Sequence, residues 1–172
     1  PKCLGSRVRT FGVGTEKVEE AVREHFPEAR VARLDRDVTQ KRGALEAVLG
    51  SFGAGETDIL VGTQMVAKGL NFPGVTLVGI LAADLSLNMP DFRAAERTFQ
   101  LLIQVAGRAG RGDVPGRVLI QTRQPNHPAV ACAARHDMAG FVQAEMTLRE
   151  EVGYPPFARL ALVRVDAVDE AH

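Results

Sequence analysis

Two arginines stand three apart in "QVAGRAGRG", Gln104 to Gly112, among three glycines and two alanines. A guanidinium is planar, permanently charged and bidentate towards phosphate, so Arg108 and Arg111 could converge on one anionic group. Glycine at Gly107, Gly110 and Gly112 permits close approach of a backbone to that group. Basic residues that neutralise a helix C-terminus supply a plainer reading, but that reading does not require so much glycine. A second stretch, "GTQMVAKGLNFP" (Gly62 to Pro73), directly follows an apolar run. Backbone N–H groups at Gly62 and Thr63, the Thr63 hydroxyl and the Lys68 ammonium could all hold phosphate oxygens. A glycine-rich turn with a solvated lysine is the alternative for this stretch. The phosphate cradle G-x-x-x-x-G-K-[ST] does not occur in these 172 residues.

Such residues need elements to position them. "RVRTFGVG" (7–14) reads as a strand, and "TEKVEEAVREHF" as a helix with Thr15 a candidate N-cap and Val18, Val22 and Phe26 on one face. "RVARLD" is a short strand. "GALEAVLGSF" has Leu45, Val48, Leu49 and Phe52 at helical spacing. "DILVGT" and "VTLVGIL" are apolar runs too short for helices, and their lack of alternation predicts strands covered on both faces. From Asp91 a long helix presents Phe92, Ala95, Phe99, Leu102, Ile103 and Ala106 as a stripe, and "GRVLIQT" returns as a strand. Alternating strands and helices predict a mostly parallel sheet with right-handed crossovers. Ligands then sit beyond the carboxyl ends of the strands. After Pro125 a helical stretch is expected, with a break at Gly140 and a stop at "YPPF". "ARLALVRVDA" then begins a strand.

Composition narrows the function classes. Lysine plus arginine equals aspartate plus glutamate, at 21 each, so any polyanion must be held by local clusters and not by overall charge. No apolar run approaches a membrane span, and "PKCLGSRVRT" has no apolar signal core. Cys3 and Cys132 are far apart, which fits a reducing compartment better than a disulfide scaffold. The chain starts on Pro and is expected to be a piece of a longer protein. Cys132 within "AVACAA" reads as a small core side chain. His25, His127 and His136 lack metal-ligand spacing. "GVGTE" lacks the G-x-G-x-x-G of a dinucleotide-binding turn.

Taken in order, the strand, the G-T-Q-M-x-A-K-G-x-x-F-P stretch and then Q-V-A-G-R-A-G-R resemble motifs V and VI in the second RecA-like lobe of superfamily 2 helicases. "GVGTEKVEE", "RLDRD", "GALEAVL", "DILVGTQMVAKG", "PDFRAAERTFQLLIQVAGRAGR" and "GYPPF" extend the resemblance to the primosomal replication-restart helicases, across nearly the whole chain. The fold class implied is α/β, a RecA-like lobe at 7–125 with a mostly parallel sheet flanked by helices. Residues 1–6 would end a zinc-binding segment. Residues 126–172 would form a helical connection and the start of a truncated C-terminal α+β domain.

The resemblance also implies roles. Arg108 and Arg111 would face the γ-phosphate of ATP, held with Mg²⁺ mainly by a first lobe. Gln104 would couple nucleotide state to lobe closure. Gly69 and Asn71 would lie near the ribose, where Asp often stands in place of Asn71. Gly62 and Thr63 would contact the backbone of the tracked DNA strand, and Lys68 that backbone or the nucleotide. Cys3 would be one ligand of a Zn²⁺ site in the complete protein, although Leu4 replaces the usual following glycine. Ala82 and Ala83 precede Asp84 where replication-restart helicases usually read Asp-Ala-Asp. "DEAH" at 169–172 matches a Walker B sequence, but motif order places Walker B before motifs V and VI, so it reads as chance. The implied activity is ATP-dependent 3′–5′ helicase or translocase action at stalled forks, in the bacterial cytoplasm at the nucleoid, with no membrane association. Implied partners are forked or single-stranded DNA, the single-stranded-DNA-binding protein and primosome loading proteins. The alternatives are a fork-binding scaffold without ATPase activity and another superfamily 2 DNA translocase.

Overall fold

A computed structural model describes residues 14–35, 43–63, 74–107, 109 and 115–163. The strand expected at 7–14 and the "DEAH" segment lie outside the described residues, apart from Gly14. Helix α1 spans Thr15–His25, strand β1 Val31–Leu34, helix α2 Ala44–Gly53 and strand β2 Ile59–Gly62. Strand β3 spans Leu77–Ile80, helix α3 Ala94–Ala106, strand β4 Arg117–Ile120, helix α4 Pro128–Ala134 and helix α5 Met138–Val152. Among the described residues, the strands form two parallel pairs, β1 with β2 and β3 with β4. Val31 lies opposite Ile59 in one pair and Leu77 opposite Arg117 in the other.

The first pair buries Leu34 and Val61 and is fastened at its ends by charge. Arg30 donates to both Asp58 carboxylate oxygens and to the Gly55 carbonyl, joining the starts of β1 and β2. At the far end of β1, Arg33 meets Glu16, Glu19 and Asp35 at 3.2, 3.0 and 2.6 Å. Thr15 does not cap α1. Gly14, extended at φ −58° and ψ 151°, is the N-cap, and Thr15 is the first helical residue. Its hydroxyl instead donates to Asp35 at 2.7 Å, fastening the start of α1 to the end of β1. Glu16 in the first turn and Arg23 and His25 in the last suit the helix dipole. Val18 and Val22 are half-buried, as the stripe predicts, but Phe26 lies in the C-cap, where it is exposed. Gly43 caps α2 at φ +80°, a conformation that favours glycine. Leu45, Val48, Leu49 and Phe52 are all half-buried, as their spacing predicts.

Packing dominates the second part. Phe99 and Leu102 of α3 are each 1 % exposed and join Val130, Cys132 and Ala133 of α4 and Phe141 of α5. The Phe99 and Phe141 rings stack with centroids 4.1 Å apart. Ile80 and Ile120 pack against this cluster, while Leu77 and Leu119 are more than half exposed. So β3 and β4 are covered on one face among the described residues, not on both. Successive side chains of a strand point opposite ways, and the helices seen here cover one side. Helix α3 begins at Ala94, three residues after the expected start, because Asp91 closes a turn that accepts from the Arg93 and Ala94 N–H groups. Thr98 is buried in the stripe and satisfies its hydroxyl on the Ala94 carbonyl at 2.8 Å.

The helical tail breaks at Arg135–Asp137, where His136 has φ +54°, and not at Gly140. Gly140 sits in the first turn of α5, and its N–H donates to the Asp137 carboxylate at 2.8 Å. A Cβ at Gly140 would collide with that carboxylate, so this glycine marks a capped helix start. Helix α5 stops before the prolines. Gly153 turns left-handed, Tyr154 N–H returns to the Arg149 carbonyl and Gly153 N–H to the Glu150 carbonyl. That pairing satisfies the last turn by a Schellman closure. Residues 158–163 form no strand, since no neighbouring strand pairs with them among the described residues. Among the described residues, no helix is long and apolar enough to cross a membrane.

Candidate functional site

Gly62 is the last residue of β2 and Thr63 comes next, both exposed at the carboxyl end of the strand. The neighbouring strand end lies beside them, because Leu34 pairs with Gly62. Asp35 comes after Leu34, buried and fastened to Arg33 and Thr15. Among the described residues the Thr63 hydroxyl makes no hydrogen bond. Among the described residues the topology therefore places an exposed hydroxyl and an exposed glycine where a ligand of a parallel sheet is expected. Lys68, Gly69 and Asn71 lie outside the described residues.

Gln104 stands near the C-terminus of α3 and is exposed. Ala94, Arg97, Leu101 and Gln104 recur at helical spacing and form one face, opposite the buried Phe99 and Leu102. With Met89 and Asp91 they line a cleft of about 620 Å³. Arg97 is held across it by Asp91 at 2.8 Å. The Gln104 amide makes no hydrogen bond among the described residues. After Ala106 the helix closes on Gly107, whose N–H returns to the Ile103 carbonyl at 3.0 Å. Gly107 has φ −68°, which any residue adopts. Among the described residues an added Cβ there would meet only the Ile103 and Gln104 carbonyl oxygens, at 3.5 and 3.7 Å. Neither the turn nor crowding within the described chain demands glycine. Arg108 and Arg111 lie outside the described residues, immediately beyond this turn.

Asp84, noted in the sequence for the alanines before it, has a structural place. Its carboxylate accepts from the Arg123 N–H at 3.2 Å, joining the loops that come after β3 and β4. That bond, its own N–H and the Thr122 hydroxyl hold its carboxyl below the usual carboxylate range against the pull of burial. Ala82 at φ +50° donates to the Gln121 side chain at 2.5 Å, which completes the junction. Cys132 is buried in the core, as its setting suggests, while Cys3 lies outside the described residues. No cluster of three or more His, Cys, Asp or Glu side chains suited to a metal occurs among the described residues. A second hollow of about 310 Å³ runs along α1 beside Leu81 and is lined almost wholly by apolar atoms.

Sequence comparison connects this geometry to a lineage. The helicase conserved C-terminal domain family matches residues 3–113, which include both glycine-rich stretches. The chain belongs to that family. It is 54 % identical over 165 residues to the replication restart protein PriA of Bacillus subtilis, covering 96 % of this chain and 20 % of that protein. Identity to the PriA of Synechocystis is 48 % over 99 % of this chain and 20 % of the relative. To the PriA of Rickettsia conorii it is 40 %, over 99 % of this chain and 26 % of the relative. The chain thus spans about a fifth to a quarter of these relatives' length. Short parallel strands flanked by helices are those of an α/β RecA-like lobe, as the motif order led one to expect.

The motif reading passed over two features. The α3 cleft was detectable, since Ala94, Arg97, Leu101 and Gln104 repeat at intervals of three and four. The contacts of Arg149 with α3 and its flank were not, because their partners lie up to 57 positions away.

Proposed function

We propose that this chain is the second motor lobe of a replication-restart DNA helicase, together with the start of its C-terminal domain. The observation that carries this reading is the 54 % identity to a replication restart protein across 96 % of the chain. Two structural facts support it. Gly62 and Thr63 stand open at a strand end, and Gln104 stands open on the helix leading into "GRAGR".

In this reading ATP with Mg²⁺ is held mainly by a first lobe, and the metal supplies charge neutralisation of the phosphates when bound. Arg108 and Arg111 reach the γ-phosphate and stabilise the charge that spreads during phosphoryl transfer. Such trans arginines are worth very roughly 10³–10⁵ in rate in other phosphoryl-transfer systems. Gln104 reports nucleotide state to lobe closure, and Gly69 and Asn71 border the ribose. Gly62, Thr63 and Lys68 hold the DNA backbone, giving sequence-independent, salt-sensitive contacts. Cys3 belongs to a Zn²⁺ site completed by residues before this chain. The protein acts 3′ to 5′ at stalled forks in the bacterial cytoplasm, with the single-stranded-DNA-binding protein and primosome loading proteins as partners.

The test is DNA-stimulated ATP turnover by the full-length protein. Arg111→Ala should lower it by two or more orders of magnitude while fork affinity changes little. The 172-residue chain alone should turn over no ATP. Equal turnover in Arg111→Ala and parent would defeat the reading, and a parent with no DNA-stimulated turnover would favour a fork-binding scaffold.

A further inference from the structure

Arg149 of α5 makes contacts that core packing does not require. Its side chain is 12 % exposed. Nη2 donates to Glu96 of α3 at 3.0 Å, Nε to Glu145 of α5 at 2.8 Å and Nη1 to the Pro155 carbonyl at 3.3 Å. The guanidinium carbon also lies 5.3 Å from the centre of the Phe92 ring, just before α3. Phe92 in turn meets Tyr154, just after α5, with ring centroids 5.8 Å apart.

An ion group this enclosed is weak evidence for stability, because desolvation offsets most of the attraction. Its distinctive property is direction. A guanidinium is a rigid planar fork: the bonds to Glu145 and to the Pro155 carbonyl hold it in one orientation on its own helix, so that Nη2 and the guanidinium plane meet Glu96 and Phe92 of the α3 segment from a fixed direction. Apolar contacts such as Phe99 on Phe141 resist separation but specify rotation less sharply. Phe92, Glu96, Phe99 and Ile103 occupy the gripped side of the α3 segment, while Arg97, Leu101 and Gln104 occupy its cleft side, with buried Ala94 below them. Gln104 lies eight residues beyond Glu96, about 12 Å along the helix axis at 1.5 Å per residue. Rotation of α3 about its axis would therefore swing Gln104 and the residues after it.

We propose that Arg149 is a positioning residue: it clamps α3 at Glu96 and Phe92 so that Gln104, and the arginines after it, meet the nucleotide in register. This inference rests on the motor-lobe reading and gives the helices after β4 a role in ATP turnover. It assigns no contact between Arg149 and any ligand.

The test uses the full-length protein with three variants and Arg111→Ala as reference. Arg149→Met keeps the apolar stem and removes the fork. Glu96→Gln removes only the charge that α3 contributes. Arg149→Lys keeps a positive charge without the fork. Misplacing reacting groups by about 1 Å costs up to 10²-fold, so Arg149→Met should lower DNA-stimulated kcat roughly ten- to a hundredfold. Glu96→Gln should lower it severalfold, and Arg149→Lys should fail to restore it. KM for ATP and fork affinity should hold. Parental kcat in Arg149→Met and Glu96→Gln, with Arg111→Ala inactive, would overturn the clamp. So would full rescue by Arg149→Lys, or a loss that disappears on cooling and tracks thermal stability. If Arg149→Met does not fold, Glu96→Gln decides between these outcomes. Parental turnover in Arg111→Ala would remove the motor-lobe reading, and this inference with it.

Discussion

The β1–β2 unit and the helical core around α3 hold together by different means. In the first, neither α1 nor α2 has a fully buried residue, and fixed points come from Arg30 with Asp58 and from Arg33 with three carboxylates. In the second, Phe99, Leu102 and Ala129 are almost wholly buried, and most polar groups satisfy their own helix. Directional bonds hold the strand ends in place around a small buried centre of Leu34 and Val61. Packed rings resist opening but say less about rotation, which is where Arg149 enters. The two candidate surfaces match this division: Gly62 and Thr63 sit on the charge-pinned part, and Gln104 on the packed part.

Substitutions in each region should separate these two kinds of support. Phe99→Ala should cost about 3–5 kcal/mol, the range for deleting a buried phenyl ring, read as a lowered midpoint in urea. A loss below about 1 kcal/mol would show that packing does not dominate there. Arg33→Met should cost about 1–3 kcal/mol, because it leaves Asp35, Glu16 and Glu19 close together without their shared cation. Its effect should be largest on amide exchange of Val31–Leu34 and Ile59–Gly62. Uniform loss of protection across α3 as well would erase the distinction.

Smaller effects sharpen it. His127 caps α4, its ring accepting from the Ala129 N–H at 3.2 Å. Replacing it by Ala should cost about 1 kcal/mol, as for loss of an N-cap. Partial burial pushes the imidazole pKa down, partly opposed by Glu145. Its unfolded counterpart therefore binds more protons, and its stability contribution, complete above about 6.5, is lost as pH falls below that value. The wild-type chain should lose stability over this window more than His127→Ala does.

Asp58 gives the smallest effect. Hydrogen bonds from the Arg30 side chain and backbone lower its pKa to about 2, against the raising effect of burial. A depressed carboxyl stabilises above its unfolded value of about 4 and loses that contribution as pH falls towards 2. The pair is exposed, so solvent screens it. Asp58→Asn should flatten the acid limb slightly, and an unchanged limb would show Arg30 contributing nothing there.

Much of this was legible in the residues. Spacing located α2, β1 to β4 and the buried side of α3, because 3.6-residue and strand-length apolar patterns survive in any context that buries them. What failed was local. Thr15 looked like a cap, yet Asp35, twenty positions away, claimed its hydroxyl. Gly140 looked like a break, yet Asp137 made it the third residue of a capped helix. The prolines at 155 and 156 looked like the stop, but the left-handed Gly153 ended α5 first. In each case a partner, or a backbone angle set by the surroundings, overruled the propensity of one residue.

By itself, the residue order determined the alternation of strands and helices, the α/β class and two glycine-rich stretches that lie within the helicase C-terminal match. Those are short-range patterns, and short-range patterns need no knowledge of distant partners. Only the tertiary structure decided that β1 ends beside Gly62, that Asp35 takes the Thr15 hydroxyl and that Arg149 grips the side of α3 opposite Gln104. These depend on residues up to 57 positions apart being brought together. Burial and directional bonds make that choice, and no spacing in the chain encodes it.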